Sequence, residues 1–387
     1  MPAFFKKNYP TIKKLIPAVI LTVFCLTIIS VAHRFYFKLT NILAQDESVP
    51  LGLREALFWQ AAGQGNVQCV LCPRNCLIAP GQRGFCRARK NIKGKLYSLT
   101  YGRPVAIHVD PIEKKPFFHV YPGTKSLSIA TAGCNLRCKF CQNWEISQAD
   151  PETSQARFVP PQEIVQQAKA TGSRTIAFTY TEPTIFYEYM LEVARLAKEE
   201  NIACVMHSAG FINEEPLKQL AKYLLAADID LKGFSQEYYA SFCQGKLEDV
   251  LRTLQTLKKQ GVWLEITNLI LPGANDTPNE LGNLCAWVKE NLGPDTPVHF
   301  SRFFPMYKLL DLSPTPLETL IQAKEIAAKN GLHYVYIGNV PQHLGEDTFC
   351  PVCGKLLVKR IGYNVLEINL ADGKCQFCKA KISGVWD

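Results

Sequence analysis

From residue 126 to residue 339 the chain alternates short apolar runs with amphipathic stretches. Residues 126–131, 175–180, 202–208, 227–232, 262–271, 298–303 and 334–339 are compact runs of the kind that form buried strands. Residues 161–171, 185–200, 214–225, 247–260, 278–291 and 317–329 read as helices. This alternation predicts right-handed βαβ units and a parallel sheet. Six or seven units are too few for a closed eight-fold barrel. The pattern therefore predicts an α/β fold with a partial (β/α)6-type barrel over residues 126–340. Active sites on such sheets lie at the C-terminal ends of the strands.

Upstream the rhythm differs. Residues 15–32 (LIPAVILTVFCLTIISVA) are 18 positions without a charge, the lower limit for a spanning helix. Lys6, Lys7, Lys13 and Lys14 precede the run; Arg34 and Lys38 follow it. A cleaved signal peptide would have a shorter apolar region and a small-x-small site, which the following residues do not offer. Residues 1–38 are expected to be an uncleaved membrane anchor with one transmembrane helix. Residues 39–65 read as a linker with short helical pieces. Residues 66–125 form a Cys-rich segment punctuated by Gly and Pro, and residues 341–387 a small terminal module.

Composition adds few constraints. Of 387 residues, 47% are hydrophobic and 20% charged, which excludes a disordered chain. The net charge of +9 is spread along the chain and clusters only before the apolar run. No arginine-rich or aromatic-interleaved stripe is present, so nucleic acid is not expected as a partner.

The fifteen cysteines change the picture, through spacing more than number. Eleven fall into three groups: Cys69, Cys72, Cys76 and Cys86; Cys134, Cys138 and Cys141; Cys350, Cys353, Cys375 and Cys378. Cys25, Cys204, Cys243 and Cys285 stand alone and read as small core or membrane residues. A long chain with C-x2-C pairs points to metal in a reducing compartment, not to a disulfide framework. Cys134, Cys138 and Cys141 follow the first predicted barrel strand, with Gly133 just ahead. Structural zinc takes four protein ligands. A 4Fe–4S cube also has four irons to cap, so three thiolates leave one iron open to a small molecule. Zinc with a distant fourth ligand and an ordinary electron-transfer cluster are the alternatives, but nothing close in sequence supplies a fourth cysteine.

This C-x3-C-x2-C spacing resembles that of the radical S-adenosylmethionine (SAM) enzymes, and the rest of the chain agrees with it. The sequence is similar to pyruvate formate-lyase activating enzymes and, more narrowly, to the radical SAM member of the AmmeMemoRadiSam system. The resemblance runs from about Cys69 to Trp386. It rests on CVLCPRNC, GQRGFC, DPIEKKPFFHVYPGTKSLSIATAGCNLRCKFCQNWEIS, FTYTEPTIFYEY, DIDLKG, LILPGANDT and HFSRFFPMY. It implies that Cys134, Cys138 and Cys141 hold a 4Fe–4S cluster whose fourth iron takes the amine and carboxylate of SAM. It further implies that Phe140 lies near the adenine. At the second strand end the usual Gly-Gly-Glu-Pro is replaced by Tyr180-Thr181-Glu182-Pro183. Glu182 keeps the carboxylate that would accept from the SAM ammonium, although an acid at a helix N-terminus is favourable in any case. Asp230 and Lys232 share a strand face, and the resemblance sets such a pair around the SAM carboxylate and ribose.

Other positions carry weaker readings. Ser208 is a candidate after the third strand; Ala209, where relatives often have Asn, offers no side-chain hydrogen bond. Asn275 and Asp276 read as a turn first. His299 and Arg302 are candidate cavity residues. His108, Asp110, Lys114 and Lys115 precede the barrel, where Lys pairs are usually solvated.

Cys350, Cys353, Cys375 and Cys378 form two C-x2-C knuckles, the spacing of a zinc-ribbon-like module. Cys69, Cys72, Cys76 and Cys86 suit zinc or an auxiliary Fe–S cluster. The expected function is reductive cleavage of SAM to a 5′-deoxyadenosyl radical that abstracts hydrogen from an unidentified substrate. Activation of a glycyl-radical enzyme is one alternative, and a non-enzymatic metal-ribbon or electron-transfer protein another. The resemblance implies a flavodoxin- or ferredoxin-like reductant, and Memo-like and AMMECR-like proteins as partners. The anchor implies a lipid bilayer. Lysines ahead of the apolar run favour N-inside topology, which would put the barrel outside, but low-potential chemistry favours the cytoplasm. The expectation is an inner-membrane protein with a cytoplasmic catalytic domain.

Overall fold

The computed structural model describes residues 53–340 and 344–386. The expected anchor at residues 1–38 lies outside the described residues. Among the described residues no helix is long and apolar enough to cross a membrane.

An eight-stranded sheet organises the chain. Its strands are β1 (Pro104–Pro111), β2 (Lys125–Thr131), β3 (Thr175–Phe178), β4 (Ala203–Ser208), β5 (Ala226–Asp230), β6 (Trp263–Ile270), β7 (Val298–Arg302) and β8 (Val335–Gly338). They lie in chain order; β2 to β8 are mutually parallel, and β1 runs antiparallel beside β2. Helices α1 (Pro161–Ala170), α2 (Tyr187–Glu199), α3 (Glu214–Ala221), α4 (Leu247–Lys259), α5 (Pro278–Leu292) and α6 (Leu317–Lys329) fill the crossovers. The sequence marks their starts: Pro161 and Pro278 stand at the first helical position, and the Thr277 hydroxyl accepts from the Glu280 N–H. Each helix turns its apolar stripe onto the sheet, where Ile176, Met206, Ile229 and Ile266 are fully covered.

The opposite, concave face is polar in register. His207, Asp228 and Glu265 sit side by side across β4, β5 and β6. One pleat on, Asp230, Thr267, His299 and Tyr336 form a second row across β5 to β8. A parallel sheet covered by helices on one side can carry such rows only if the groups satisfy one another or a ligand.

Two features differ from the sequence reading. β1 lies within the segment read as a separate Cys-rich region, yet its alternating Val105, Ile107 and Val109 extend the main sheet. The stretch read as a linker with helical pieces contains strands instead. Arg54–Glu55 pairs with Lys95–Ser98, and Trp59–Ala61 pairs with Val67–Cys69. These short strands are held by long-range ladders, which local pattern does not reveal.

The terminal module packs on the barrel. Arg360, fully buried, donates to Phe118 O at 2.7 Å and to Thr348 Oγ1 at 2.8 Å. His119 bridges Ser383 O at 2.7 Å and Tyr336 Oη at 2.6 Å. Sγ atoms of Cys350 and Cys378 lie 3.6 Å apart, and those of Cys353 and Cys375 3.8 Å. Tetrahedral ligation at about 2.3 Å puts sulfurs about 3.8 Å apart, so this group has zinc spacing.

Candidate active site

The C-terminal ends of the strands open into a cavity of about 450 Å³, within the range of small-molecule sites. Its walls bring together Cys134, Cys138, Cys141 and Phe140 after β2, Glu182 after β3, and Asp230 and Lys232 at the end of β5. Residues up to about a hundred positions apart thus face one space.

The cysteine loop is held from several sides. Gly133 has φ +105°, and a Cβ there would lie 3.0 Å from Cys86 O, so both conformation and space require glycine. The Asn135 amide donates to Phe211 O at 2.8 Å. Arg137 donates to Cys134 O and Leu136 O, both at 2.7 Å. Burial, with Glu182 and Cys138 nearby, raises the Cys134 thiol well above its ordinary value. A hydrogen bond with Cys243 and burial do the same to Cys138. Crowded buried thiols resist ionisation, so three thiolates here require a cation among them. Three sulfurs on one wall, facing open space, fit a cluster with one uncapped iron. Cys243, which the sequence leaves among isolated core residues, approaches Cys138 from the protein side and is not on the cavity wall.

Glu182 is buried and oriented by four donors. Oε1 accepts from Thr184 N at 3.1 Å, Thr184 Oγ1 at 2.6 Å and Ser208 Oγ at 2.7 Å. Oε2 accepts only from Ala209 N at 2.8 Å, which leaves it a lone pair for a cavity ligand. Glu182 therefore caps the turn at Pro183–Phe186 and also lines the cavity. Ala209, unhelpful by side chain, contributes its backbone.

Lys232 Nζ lies 2.8 Å from Asp230 Oδ2 and 5.7 Å over the Phe140 ring. Burial works against charge at Asp230, but Lys232 and His207 outweigh it and hold the carboxyl well below the usual range. Asn275 is not a ligand residue. Its amide donates to Lys232 O at 2.7 Å and Leu269 O at 3.0 Å, and its carbonyl accepts from Leu271 N at 2.7 Å, fixing the β6 turn against Lys232. His207, missed in the sequence, stands 2.9 Å from Asp228 and 3.5 Å from Asp230. Burial disfavours its charge, yet the two carboxylates raise it to about 10.

The cavity floor corrects the view of Lys115. It is buried, with Nζ 2.6 Å from Asp110 Oδ2 and 4.0 Å over the Tyr180 ring. Burial, against the pull of Asp110, lowers it to about 8. Tyr180, held at φ +63°, donates its hydroxyl to the same carboxylate. Lys114, exposed, pairs with Asp110 at 2.9 Å. His299 lines the cavity but is tied to Glu265 at 2.7 Å. Arg302 is off the wall: its Nε donates to Thr315 O at 2.8 Å, and its guanidinium stacks on Phe304.

Residues 128–288 match the family model described as the Radical SAM superfamily. The chain belongs to that superfamily. An uncharacterized protein of Methanocaldococcus jannaschii, MJ0808, is 47% identical over 332 residues, covering 85% of this chain and 99% of its own length. Another protein of that organism, named for glycyl-radical enzyme activation, is 25% identical over 177 residues, 44% of this chain and 71% of its own. A solved domain of pyruvate-formate lyase-activating enzyme from Bacteroides vulgatus aligns at a TM-score of 0.38 and 16% identity, over 43% of this chain and 99% of that one. Radical SAM membership implies a 4Fe–4S cluster and SAM, and Cys134, Cys138, Cys141 and Glu182 line one cavity within the matched residues.

Proposed function

We propose that this chain is a radical SAM enzyme of an AmmeMemoRadiSam system that abstracts hydrogen from a substrate held in the same cavity. The observation that carries the reading is Glu182 Oε2, oriented by Ala209 and open to the space walled by the three cysteines. Cys134, Cys138 and Cys141 would hold the cluster, and the chemistry it would supply is one-electron reductive cleavage of the SAM sulfonium with loss of methionine.

The chain's own residues bind, orient and exclude water. Glu182 accepts the ammonium of SAM. Lys232 takes its carboxylate and Asp230 the ribose hydroxyls, while the Phe140 ring flanks the adenine. Lys115, Tyr180 and His299 line the part of the cavity left for substrate. Glu346 and Tyr363, from the terminal module, wall its side. Zinc at Cys350, Cys353, Cys375 and Cys378 holds that module in place, which the sulfur spacing supports.

A reductant of the flavodoxin or ferredoxin class delivers the electron, and Memo-like and AMMECR-like proteins act with the enzyme. Residues 1–38 anchor it to the inner membrane with the barrel in the cytoplasm. Protease digestion of the barrel from outside intact spheroplasts would refute that topology. A second reading, activation of a glycyl-radical enzyme, is favoured by the 25% identical relative named for that activity. The Cys69–Cys86 segment and the terminal four-cysteine module favour the first, because a minimal activating enzyme needs neither.

The deciding assay uses anaerobically reconstituted protein with dithionite and SAM. The expected products are 5′-deoxyadenosine and methionine. An intact cluster without either product overturns the enzyme reading.

A further inference from the structure

Cys69, Cys72, Cys76 and Cys86 form a second metal-binding pocket that the reaction at the barrel mouth does not account for. All four line a small internal cavity of about 20 Å³, together with Arg74, Arg89, Asn135 and Ile185. That is more room than one water needs. Backbone N–H groups of Arg74, Phe85 and Ala88 point at the sulfurs of Cys72, Cys76 and Cys86. Arg89, fully buried and paired with Glu188, reaches within 3.9 Å of Cys69 Sγ. The pocket is thus built to hold sulfur-borne negative charge.

Spacing separates the two metals that suit four thiolates. In the terminal module the four ligand sulfurs all lie within 4.8 Å of one another. Among the described residues, neither the Cys69–Cys86 group nor the Cys134–Cys141 group closes to that spacing. A single zinc needs the narrow arrangement, since all its ligands meet one ion. A cube spreads its thiolates, since each caps a different iron. The wide group around an internal cavity therefore matches the three-cysteine wall and not the zinc knuckles.

The two wide groups also share a partition. The Phe85 ring packs against two guanidinium groups, that of Arg74 at 3.9 Å from its centroid and that of Arg137 at 4.3 Å. Arg74 donates to Asn135 O at 3.0 Å; Arg137 donates to Cys134 O at 2.7 Å and to Phe85 O at 2.6 Å. Gly133 lies against Cys86 O. Arg74 lines the second cavity, and each arginine lies close enough to cysteines of both groups to interact with their charge.

We propose that Cys69, Cys72, Cys76 and Cys86 bind a second 4Fe–4S cluster, which passes single electrons across the Arg74–Phe85–Arg137 partition to the cluster at Cys134, Cys138 and Cys141. The relay half rests on the radical SAM reading; the binding half does not. The electron comes from a low-potential one-electron donor protein of the ferredoxin or flavodoxin class. The donor is oxidised by one electron. The second cluster is reduced and then reoxidised as the first is reduced, and no proton or bond changes in the transfer.

The test begins with metal analysis and Mössbauer spectra of anaerobically reconstituted full-length protein. About eight irons and about one zinc per chain are expected; about four irons with about two zincs would overturn the second cluster. The variant C134A/C138A/C141A should keep about four irons and the spectrum of a reduced cube that does not respond to SAM. If that variant fails to fold, SAM titration of the reduced wild type decides: SAM should perturb one of two cluster signals, and a single signal that shifts completely would overturn the proposal. For the relay, C72S/C76S should still make 5′-deoxyadenosine with dithionite but lose at least tenfold in rate when reduced ferredoxin is the donor. Equal rates with ferredoxin would overturn the relay. Absence of 5′-deoxyadenosine from wild type with about eight irons present would sink the radical SAM reading alone.

Discussion

Glu182 Oε2 accepts the backbone N–H of Ala209 at 2.8 Å, across the gap between the ends of β3 and β4. A residue without a polar side chain thereby orients the carboxylate that faces the cysteine wall. Because Ser208 supplies the companion bond at 2.7 Å, the β4 end acts on the cavity through Glu182.

Replacing Glu182 should weaken SAM binding without touching the metal. Glu182→Gln removes one charge-assisted acceptor, a loss of about 10–100-fold in affinity. Ser208→Ala loses one neutral donor to the same carboxylate and should cost severalfold. Equilibrium dialysis with SAM checks both, alongside unchanged iron content. Loss of iron in Glu182→Gln would mean a structural role.

Cys243 is the residue that challenges the three-ligand view, since it touches Cys138. Cys243→Ser is expected to retain the full iron content, whereas Cys141→Ser should lose the barrel cluster. Iron analysis with ultraviolet–visible spectra separates the two. Equal loss from both would make Cys243 a fourth ligand and close the site to SAM.

His207 predicts a pH dependence of stability. Asp230 and Asp228 raise it to about 10 against burial, above the ordinary value of about 6.5. The raised pKa contributes stability that is fully present below about pH 6.5 and is lost as pH rises through about 10. His207→Gln, which leaves Asp228 without its counter-charge and Asp230 with Lys232 alone, should cost about 3 kcal/mol at pH 6. Denaturant melts should show that gap narrowing toward pH 10. A constant gap would mean that the imidazole is neutral and acts through packing.

The terminal module should depend on its metal. Cys353→Ser is expected to lose about one zinc per chain and to melt several degrees lower. The loss should spread to the barrel, because Arg360 and His119 tie the module to Phe118, Tyr336 and Ser383. Metal analysis with calorimetry checks this; an unchanged melting temperature would contradict a structural role.

Much of the fold is legible in the chain. The apolar runs and amphipathic stretches from residue 126 onward correspond to β2–β8 and α1–α6 because each run is long enough to state its own period. β1 was less visible. The alternation in Val105, Ile107 and Val109 is a two-residue period, yet it lies in a segment whose cysteines and prolines suggest something else. The short strands at Arg54–Glu55 and Trp59–Ala61 left no comparable signal.

The site divides in the same way. Cys134, Cys138 and Cys141 are recognisable because their ligand spacing is local. Glu182 and the Asp230/Lys232 pair are recognisable because they sit at strand ends in familiar company. His207 looked like one more strand residue, Cys243 like core and Lys115 like a solvated lysine. Nothing within a few positions of His207 or Cys243 announces Asp228 or Cys138, and Asp110, five residues before Lys115, gives no sign of the fold that buries the pair. Arg302, plausible from its strand, turned to Thr315 and Phe304 instead.

What the sequence by itself determined is the order of strands and helices, the three cysteine sets and the count of thiols in each. Those depend on periodicity and on ligands a few residues apart. Only the tertiary structure decided that the Cys69–Cys86 group does not close to the sulfur spacing of the terminal knuckles, which two sets share the Arg74–Phe85–Arg137 partition, and which charged groups lie buried against the cavity. Those outcomes depend on sulfur-to-sulfur distances, cross-strand register and burial, and each is set by contacts between residues far apart in the chain.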